Sequence, residues 1–251
     1  MSEKLKVAVL GGTGMVGQRF VSLLEDHPWF EVKVIAASSR SAGKTYEEAV
    51  GDRWKMTGSM PENVKKLTVM NVNEVEDVAS KVDFCFSAVD MTKEEIREIE
   101  DAYAKTETPV VSNNSAHRWT KDVPMIIPEI NPEHIEVIEA QKKRLGTKRG
   151  FVAVKPNCSI QSYAPVLYAW REFEPYEVVA TTYQAISGAG KTFKDWPEMV
   201  ENVIPYIGGE EEKSEQEPLK IYGRVENGEI IKAELPVITT QCIRVPVLNG
   251  H

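Results

Sequence analysis

The sequence predicts an α/β protein whose first half forms a doubly wound parallel sheet and whose second half forms a smaller domain of strands and helices. Three observations support this prediction. Apolar strand-like runs alternate with helical patterns through the first half, which is the order of a parallel sheet covered by helices. Residues 5–17 run from a strand into a glycine-rich turn. A second strand-to-helix turn, residues 155–159, opens the second half.

Size and composition limit the classes of protein that the chain can belong to. Its 251 residues can bury two modest cores, and we predict domains over 1–150 and 151–251 with a border in the glycine-flanked segment 146–150. A net charge of -8 without a basic stripe argues against a nucleic-acid or anionic-membrane partner. No run reaches the roughly 18 apolar residues of a membrane span. Three widely spaced cysteines fit neither a disulfide framework nor a zinc site, so we predict a cytoplasmic protein without a metal.

Residues 5–10 are predicted to form the first strand, and residues 18–25 continue as a helix after the glycine-rich turn. Gly12, Gly14 and Gly17 have the G-x-G-x-x-G spacing. A dinucleotide pyrophosphate needs this order of strand, glycine turn and helix N-terminus, because the backbone amides must approach the phosphates closely. An ordinary tight turn is the alternative. The predicted Rossmann-like nucleotide site comprises Gly11, Gly12, Thr13, Gly14, Met15, Val16 and Gly17.

The second strand is predicted over residues 32–37, and the residues that follow it indicate which nucleotide binds. No Asp or Glu stands where an NAD site usually holds the ribose diol. Hydroxyl groups and an arginine would instead receive a 2′-phosphate, so NADP is predicted over NAD. The alternative is that Arg40 is a solvated loop charge. The predicted phosphate-binding residues are Ser38, Ser39, Arg40 and Ser41.

The other elements of the first half are a loop with a short helix over 43–66, strands over 82–88, 109–112 and 125–131, and helices over 92–105 and 132–145. The strand over 82–88 is apolar throughout, as suits a parallel strand buried on both faces, and Cys85 is predicted to be a core residue. Thr92 and Glu95 have capping-box spacing. Further nucleotide contacts are predicted for Ser87, Ala88, Ser187 and Gly188.

A polar loop over residues 112–118 follows the strand 109–112. Open α/β sheets bind ligands at the carboxyl ends of their strands, and small polar residues with one arginine suit an anion. Arg118 is therefore a candidate anion-binding residue. The alternative is that its guanidinium is simply solvated.

The second half opens with Lys-Pro-Asn-Cys-Ser, placed between the apolar run 151–154 and the apolar-periodic stretch 160–170. A helix is predicted to begin near Cys158 or Ser159. At a helix start, unpaired amides and the helix dipole favour an anion, so the thiol of Cys158 is expected to be partly ionised and reactive. A buried apolar cysteine is the alternative.

Beyond this turn, the sequence predicts strands over 178–183, 230–235 and 239–245, with a small-residue loop over 184–190. That loop would let backbone approach a substrate closely. A charged run over 210–215 is predicted to be helical, and Glu210 and Lys213 would then share one face. The alternative for this run is a solvated helix face.

Four motifs, in this order and spacing, make the chain resemble the aspartate-β-semialdehyde dehydrogenases, especially their archaeal and fungal branch. They are residues 12–17, 155–159, 184–190 and 244–251, and the resemblance extends from the first strand to the last residue. It implies a second domain of the α+β catalytic and dimerisation type seen in glyceraldehyde-3-phosphate dehydrogenase. It also implies the following roles: Cys158 as nucleophile, Gln184 orienting the acyl group, Asn157 assisting the oxyanion, Arg244 gripping the substrate carboxylate, His251 as general acid/base, Arg118 and Lys213 holding phosphate, and Glu210 binding the substrate amino group.

The activity implied by the resemblance is NADPH-dependent conversion of L-aspartyl 4-phosphate to L-aspartate 4-semialdehyde through a cysteine thioester. It would serve lysine, threonine and methionine biosynthesis, in a homodimer or homotetramer. Members of the family continue well beyond the histidine that matches His251, so the resemblance also implies that the second domain is incomplete here. A malonyl-CoA reductase and an inactive nucleotide-binding module are the alternatives.

Overall fold

The structure, a computed structural model, describes residues 3–251. The chain forms two compact units. The first runs to Pro124 and resumes over Ile138–Lys155, and the second comprises Met125–Val137 and Pro156–His251. The chain passes from one unit to the other after Pro124, Val137 and Lys155, and the border predicted in 146–150 stays a prediction. The assignment of nucleotide binding to 1–150 and of catalysis to 151–251 stays a prediction.

A parallel sheet of six strands forms the centre of the first unit. In chain order the strands are β1 (Leu5–Leu10), β2 (Phe30–Ala37), β3 (Met70–Asn71), β4 (Phe84–Ser87), β5 (Val110–Ser112) and β6 (Val152–Val154). Their order across the sheet is β3-β2-β1-β4-β5-β6, so the strand order reverses beside β1. Open α/β sheets bind ligands at such a reversal. The predicted doubly wound sheet is confirmed.

The described part of this unit contains six α-helices: α1 (Met15–Leu23), α2 (Tyr46–Val50), α3 (Glu62–Lys65), α4 (Val75–Ala79), α5 (Lys93–Lys105) and α6 (Ile138–Leu145). Helix α5 begins as predicted, with Thr92 and Glu95 each accepting a hydrogen bond from the other's backbone amide. Helix α1 begins earlier than predicted, because the carbonyl of Gly14 already accepts a helical hydrogen bond from Gln18 at 2.8 Å. Strand β3 and helix α4 were not predicted, since elements of two and five residues are too short to show a period.

The strand predicted over residues 125–131 is wrong. Pro128 lies in a turn and has no amide to donate to a neighbouring strand. The side chain of Asn131 instead accepts from the amide of Ile127 and donates to the carbonyl of Met125, both at 2.9 Å. The helix predicted over 132–145 is a 3₁₀ segment, Pro132–Val137, followed by α6.

The second unit contains a parallel pair, β7 (Glu177–Gln184) with β10 (Val237–Arg244), and an antiparallel hairpin, β8 (Arg224–Glu226) with β9 (Glu229–Ile231). Its helices are α7 (Ile160–Ala169) and α8 (Glu210–Ile221). The strand predicted over 230–235 therefore ends early, at Ile231, whereas the other two predicted strands form. Helix α8 contacts β10, whose Thr240 and Cys242 amides donate to carboxylates on α8. Among residues 3–251, no helix has the length and apolar character of a membrane span.

Candidate active site

Seven of the fifteen predicted nucleotide-binding residues line a cavity of about 480 Å³ in the first unit. It lies at the carboxyl ends of β1, β2 and β4. The predicted residues that line it are Gly11, Thr13, Gly14, Ser38, Arg40, Ser41 and Ala88. Those that lie outside the lining are Gly12, Met15, Val16, Gly17, Ser39 and Ser87, with Ser187 and Gly188 in the second unit. Lys44, Arg53 and Asp90 also line the cavity and were not predicted, although Lys44 closely follows Arg40 in the chain.

The third glycine of the motif is required by close packing. A Cβ atom at Gly17 would lie 2.3 Å from the carbonyl oxygen of Gly11 and 2.5 Å from the Cα of Gly12. No side chain fits that space. Glycine at this position lets helix α1 pack directly against the turn, so that its amide end faces the cavity.

Two buried side chains hold the glycine turn in place. Gln18 donates from Nε2 to the carbonyls of Thr13 and Arg53, each at 3.0 Å. The hydroxyl of Tyr46 donates to the carbonyl of Gly12 at 2.9 Å. These contacts fix the amides that face the cavity. The contacts from Gln18 to Arg53 and from Tyr46 to Gly12 could not be predicted from local patterns, because they span 35 and 34 residues of the chain.

Ser87 supports the carboxyl ends of β4 and β5 from inside the protein. It is fully buried, and its Oγ accepts a hydrogen bond from Nδ2 of Asn114 at 3.2 Å. Asn114 also donates to the buried carboxylate of Glu100 at 3.0 Å, and Ser112 donates to the same oxygen at 2.6 Å. Ser87 therefore shapes this edge of the sheet, while the neighbouring Ala88 lines the cavity.

Arg118 is buried in the first unit, with its guanidinium directed by backbone carbonyls. Its Nε donates to the carbonyl of Lys155 at 3.1 Å, and its Nη2 donates to that of Asn113 at 3.3 Å. These two carbonyls orient the guanidinium without themselves carrying a charge. Its role in holding phosphate stays a prediction.

Cys158 is the exposed thiol of the chain. Cys85 and Cys242 are both fully buried, as predicted for Cys85. Helix α7 begins at Ile160 with Ser159 as its N-cap, so Cys158 lies in the turn just before the helix rather than inside its first turn. Among the described residues, no group of three or more His, Cys, Asp or Glu side chains could hold a metal ion.

Asn157 and Glu210 connect the cysteine turn to helix α8. The Oδ1 of Asn157 accepts from the amide and the hydroxyl of Ser159, at 2.9 and 2.7 Å. Its Nδ2 donates to Oε2 of Glu210 at 2.9 Å. Asn157 therefore shapes the turn, and one N–H of its amide group is not used by these contacts.

Glu210 and Lys213 share one face of α8, as predicted, and form an ion pair of 2.6 Å. Burial raises the pKa of the Glu210 carboxyl, but the hydrogen bond and charge of Lys213, the Asn157 amide and the charge of Arg244 together lower it below its ordinary value. Glu210 is therefore a carboxylate at neutral pH. The alternative of a purely solvated face does not hold for Glu210, which is largely buried.

Arg244 ends strand β10 and is 5% exposed. Its Nη1 donates to the carbonyl of Ala185 at 2.7 Å. Burial lowers the pKa of the guanidinium, and the charges of Glu210, Cys158 and Cys242 oppose that shift only in part. An arginine still remains protonated at neutral pH. Arg244 is thus a buried cation within electrostatic reach of both Glu210 and Cys158.

The segments that carry Gln184 and His251 run side by side. The carbonyl of Gln184 accepts from the amide of Val245, and the amide of Ala185 donates to the carbonyl of Gly250, both at 3.0 Å. Gln184 is buried, and its Nε2 donates to the hydroxyl of Thr182 at 3.2 Å. The structure therefore brings together two motifs that the sequence separates by more than 50 residues.

Gly188 lies close to the side chains of both Arg244 and His251. A Cβ atom at Gly188 would lie 2.7 Å from Nη1 of Arg244 and 3.7 Å from Cε1 of His251. The glycine in this small-residue loop thus leaves room for both side chains, while the close approach of the loop backbone to a substrate stays a prediction. The nucleotide contacts predicted for Ser187 and Gly188 stay predictions.

Gly188→Ala is expected to lower kcat/KM by about tenfold to a hundredfold, because the added methyl displaces the Arg244 guanidinium and small misplacements of a binding group are costly. Gly208→Ala is the matched control, since a Cβ at Gly208 meets no atom within 4 Å. Steady-state kinetics of both variants would test this. Equal activity of the two variants would contradict it.

Comparison with known proteins gives the same answer for both parts of the chain. Residues 6–138 match the family model of the semialdehyde dehydrogenase NAD binding domain, and residues 165–251 match that of the semialdehyde dehydrogenase dimerisation domain. The aspartate-semialdehyde dehydrogenase of Methanothermobacter thermautotrophicus is 41% identical over 98% of this chain and 69% of its own length. That of Aspergillus fumigatus is 40% identical over 99% of this chain and 68% of its own length.

A solved structure extends the likeness to three dimensions. The aspartate semialdehyde dehydrogenase of Candida albicans, solved with NADP, superposes with a TM-score of 0.85 at 38% identity, over 98% of this chain and 69% of that one. Archaeal and fungal proteins are both among these relatives, which confirms the predicted resemblance. The chain belongs to the aspartate-semialdehyde dehydrogenase family.

Proposed function

We propose that this chain catalyses the NADPH-dependent reductive dephosphorylation of L-aspartyl 4-phosphate to L-aspartate 4-semialdehyde, through a thioester on Cys158. The observation that supports this proposal is the setting of Cys158, an exposed thiol whose neighbour Asn157 donates to Glu210 at 2.9 Å, in the unit that also holds the buried cation Arg244. A substrate with an ammonium and a carboxylate group needs a carboxylate and a guanidinium of this kind. The names of the relatives support this substrate.

In the proposed reaction, Cys158 acts as nucleophile. Its thiolate attacks the carbonyl carbon of the acyl phosphate, the carbon–oxygen bond to phosphate breaks, and inorganic phosphate leaves. NADPH, when bound, supplies the hydride that reduces the resulting thioester. His251 then moves the proton between the carbonyl oxygen and solvent as the bond from carbon to Sγ breaks, a role that suits imidazole near neutral pH. The aldehyde leaves and the thiolate is restored.

The anionic groups of substrate and phosphate are assigned to three cations. Arg244 would hold the substrate carboxylate, while Arg118 and Lys213 would hold phosphate. The ammonium of Lys213 has three N–H donors, and the ion pair with Glu210 uses one of them. Lys213 can therefore bind phosphate without leaving Glu210, which we assign to the substrate amino group.

The cavity of the first unit fits NADPH. Gly11, Thr13 and Gly14 supply a glycine turn at a helix N-terminus for the pyrophosphate. Arg40 and Lys44 supply positive charge beside the serines that follow β2, as a 2′-phosphate requires. We infer a preference for NADPH over NADH, which the NADP in the Candida albicans structure supports.

Arg40→Ala is expected to weaken NADPH binding by about tenfold to a hundredfold, since a charge-assisted hydrogen bond contributes about 1.5–3 kcal/mol. NADH binding should be unchanged, because NADH has no 2′-phosphate. Arg19→Ala, which removes an exposed arginine from helix α1, is the matched control. Fluorescence titration with both nucleotides measures the effect. A similar loss for NADPH and NADH would contradict the assignment of Arg40 to the 2′-phosphate.

The direct test of the proposed function follows nucleotide absorbance in the reverse direction, with aspartate semialdehyde, phosphate and NADP. Phosphate-dependent reduction of NADP is the expected result. Reduction of malonyl-CoA by NADPH without activity on aspartate semialdehyde would favour the related reductase instead. Nucleotide binding with no turnover of either substrate would indicate a binding module.

We propose that the chain forms a homodimer or homotetramer through its second unit. One face of the β7–β10 pair exposes apolar side chains, with Val179 78%, Tyr183 62% and Val237 57% exposed. An apolar sheet face of this kind favours association, and the matched dimerisation-domain model supports it. Light scattering during size exclusion would show a monomer if this is wrong. The three free thiols favour a reducing compartment such as the cytoplasm.

A further inference from the structure

Glu217 is a buried carboxylate that neither the motifs nor the proposed reaction uses. It lies on helix α8 and is 1% exposed. Its Oε2 accepts a hydrogen bond of 2.7 Å from the backbone amide of Asn157, the residue before Cys158. A carboxylate is costly to bury unless hydrogen bonds replace its hydration, and the Asn157 amide supplies one such hydrogen bond to Glu217.

Glu217 is the last of three side chains that helix α8 presents to the cysteine turn. Glu210, Ser214 and Glu217 recur at helical spacing and share one face. Glu210 accepts from the side chain of Asn157 at 2.9 Å, and the hydroxyls of Ser214 and Ser159 lie 3.1 Å apart. Glu217 accepts a hydrogen bond from the backbone amide of Asn157. The residues on both sides of the nucleophile are therefore tied to one rigid helix.

Cys158 itself stays exposed between these tethered neighbours. The orientation of its Cα–Cβ bond depends on the peptide plane that joins it to Asn157. The hydrogen bond from the Asn157 amide to Glu217 fixes the peptide plane that precedes Asn157. Glu210 and Ser159 hold the side chain of Asn157, so the residue is restrained at both its backbone and its side chain. Rotation of this segment would swing the sulfur away from a bound acyl carbon, and displacements of this kind are costly in rate.

We propose that Glu217 is a positioning residue for Cys158, because its carboxylate oxygen accepts the Asn157 amide and so sets the direction in which the thiol leaves the turn. The effect on turnover rests on the proposed function. The effect on the backbone does not, because the hydrogen bond can be measured without substrate.

Three substitutions separate the acceptor oxygen from the charge. Glu217→Gln keeps an oxygen at the same distance along the side chain but removes the charge. Glu217→Asp keeps the charge but withdraws the oxygen by one methylene group. Glu217→Ala removes both. Glu212→Ala is the matched control, since Glu212 is exposed on the same helix.

Hydrogen–deuterium exchange of the Asn157 amide is the first readout. We expect slow exchange in the unmodified chain, the Gln variant and the Glu212→Ala control, and faster exchange in the Asp and Ala variants. Unchanged exchange in both of these variants would overturn the proposal. If the Ala variant does not fold, the Gln and Asp variants still decide the question.

Steady-state kinetics is the second readout. We expect kcat to fall by about a hundredfold in the Asp variant with KM little changed, and to recover to within about threefold of the unmodified value in the Gln variant. A large fall of kcat in the Gln variant together with full activity in the Asp variant would overturn the proposal, because it would show that the charge of Glu217 matters and the position of its oxygen does not. An inactive unmodified chain with the expected exchange pattern would count against the proposed function and support the tether.

Alkylation by iodoacetamide shows whether the thiol of Cys158 stays accessible and reactive in the Glu217 variants. Because Cys85 and Cys242 are buried, the reaction reports on Cys158. We expect a small reagent to modify the Asp and control variants at similar rates, since the thiol remains exposed while its direction changes. Loss of alkylation in the Asp variant would show that Glu217 controls access rather than direction, and would overturn the proposal.

Discussion

Replacing Cys158 with alanine is expected to lower kcat by at least about 10,000-fold while NADPH still binds with unchanged affinity. Alanine has no group that can attack an acyl carbon, so no thioester forms. The residues around the nucleotide cavity belong to the first unit and are not altered by the substitution. Nucleotide absorbance gives kcat, and fluorescence titration gives the affinity for NADPH.

The control for this experiment is Cys85→Ala. It removes a thiol that lies wholly inside the β4 strand of the first unit, so it should lower the free energy of unfolding slightly and leave turnover within a few-fold of the unmodified chain. Normal turnover by the Cys158 variant would discard the thioester mechanism. Loss of NADPH binding together with turnover would instead point to a misfolded protein.

The parts of the fold that the sequence predicted well are those with local signals. The pairing of Thr92 with Glu95 spans one helical turn, and it placed the start of α5 correctly. The order of strand, glycine turn and helix around Gly14 also involves neighbours in the chain, and it located the nucleotide cavity. Asn131 shows the opposite case, because its side chain replaces a strand's hydrogen bonds at a position where the apolar pattern alone predicts a strand.

The supporting residues of the candidate site could not be predicted, because their partners are distant in the chain. Glu217 reaches the amide of Asn157, 60 positions earlier, and Tyr46 reaches the carbonyl of Gly12, 34 positions earlier. Almost every residue type carries a backbone amide and a carbonyl, so a contact to the backbone does not require a particular residue that a sequence motif could show. Glu217 also lies in a run of charges whose composition resembles a solvated helix face, and only its burial separates it from Glu212.

Arg244→Ala is expected to lower kcat/KM for aspartate semialdehyde by about 1,000-fold, because removing one partner of a buried charged contact costs about 2–5 kcal/mol. The guanidinium donates to the carbonyl of Ala185 at 2.7 Å, so this contact orients it before the substrate binds. Arg244→Lys should recover little of this loss, since an ammonium group cannot bind a carboxylate with two parallel N–H groups. Steady-state kinetics with each substrate varied in turn measures both variants.

The same substitution should also change the ionisation of Glu210. The charge of Arg244 helps to lower the pKa of that carboxyl, so its removal should move the pKa upward, and the carboxylate should be lost at a higher pH than in the unmodified chain. If Glu210 binds the substrate amino group, the acidic limb of the pH profile of kcat/KM should shift to higher pH in Arg244→Ala. If the acidic limb does not shift, the ionisation of Glu210 does not determine that limb of the pH profile.

The control for Arg244 is Arg224→Ala, which removes an arginine from β8 that is 71% exposed and pairs with Glu226 at 3.2 Å. Exposed pairs of this kind contribute little, so activity should be retained. Added guanidinium ion should partly restore turnover to Arg244→Ala but not to Gly188→Ala, where the added methyl group occupies part of the same space. If Arg244→Ala increases the KM for phosphate and leaves the KM for aspartate semialdehyde unchanged, the roles proposed for Arg244 and Arg118 must be exchanged.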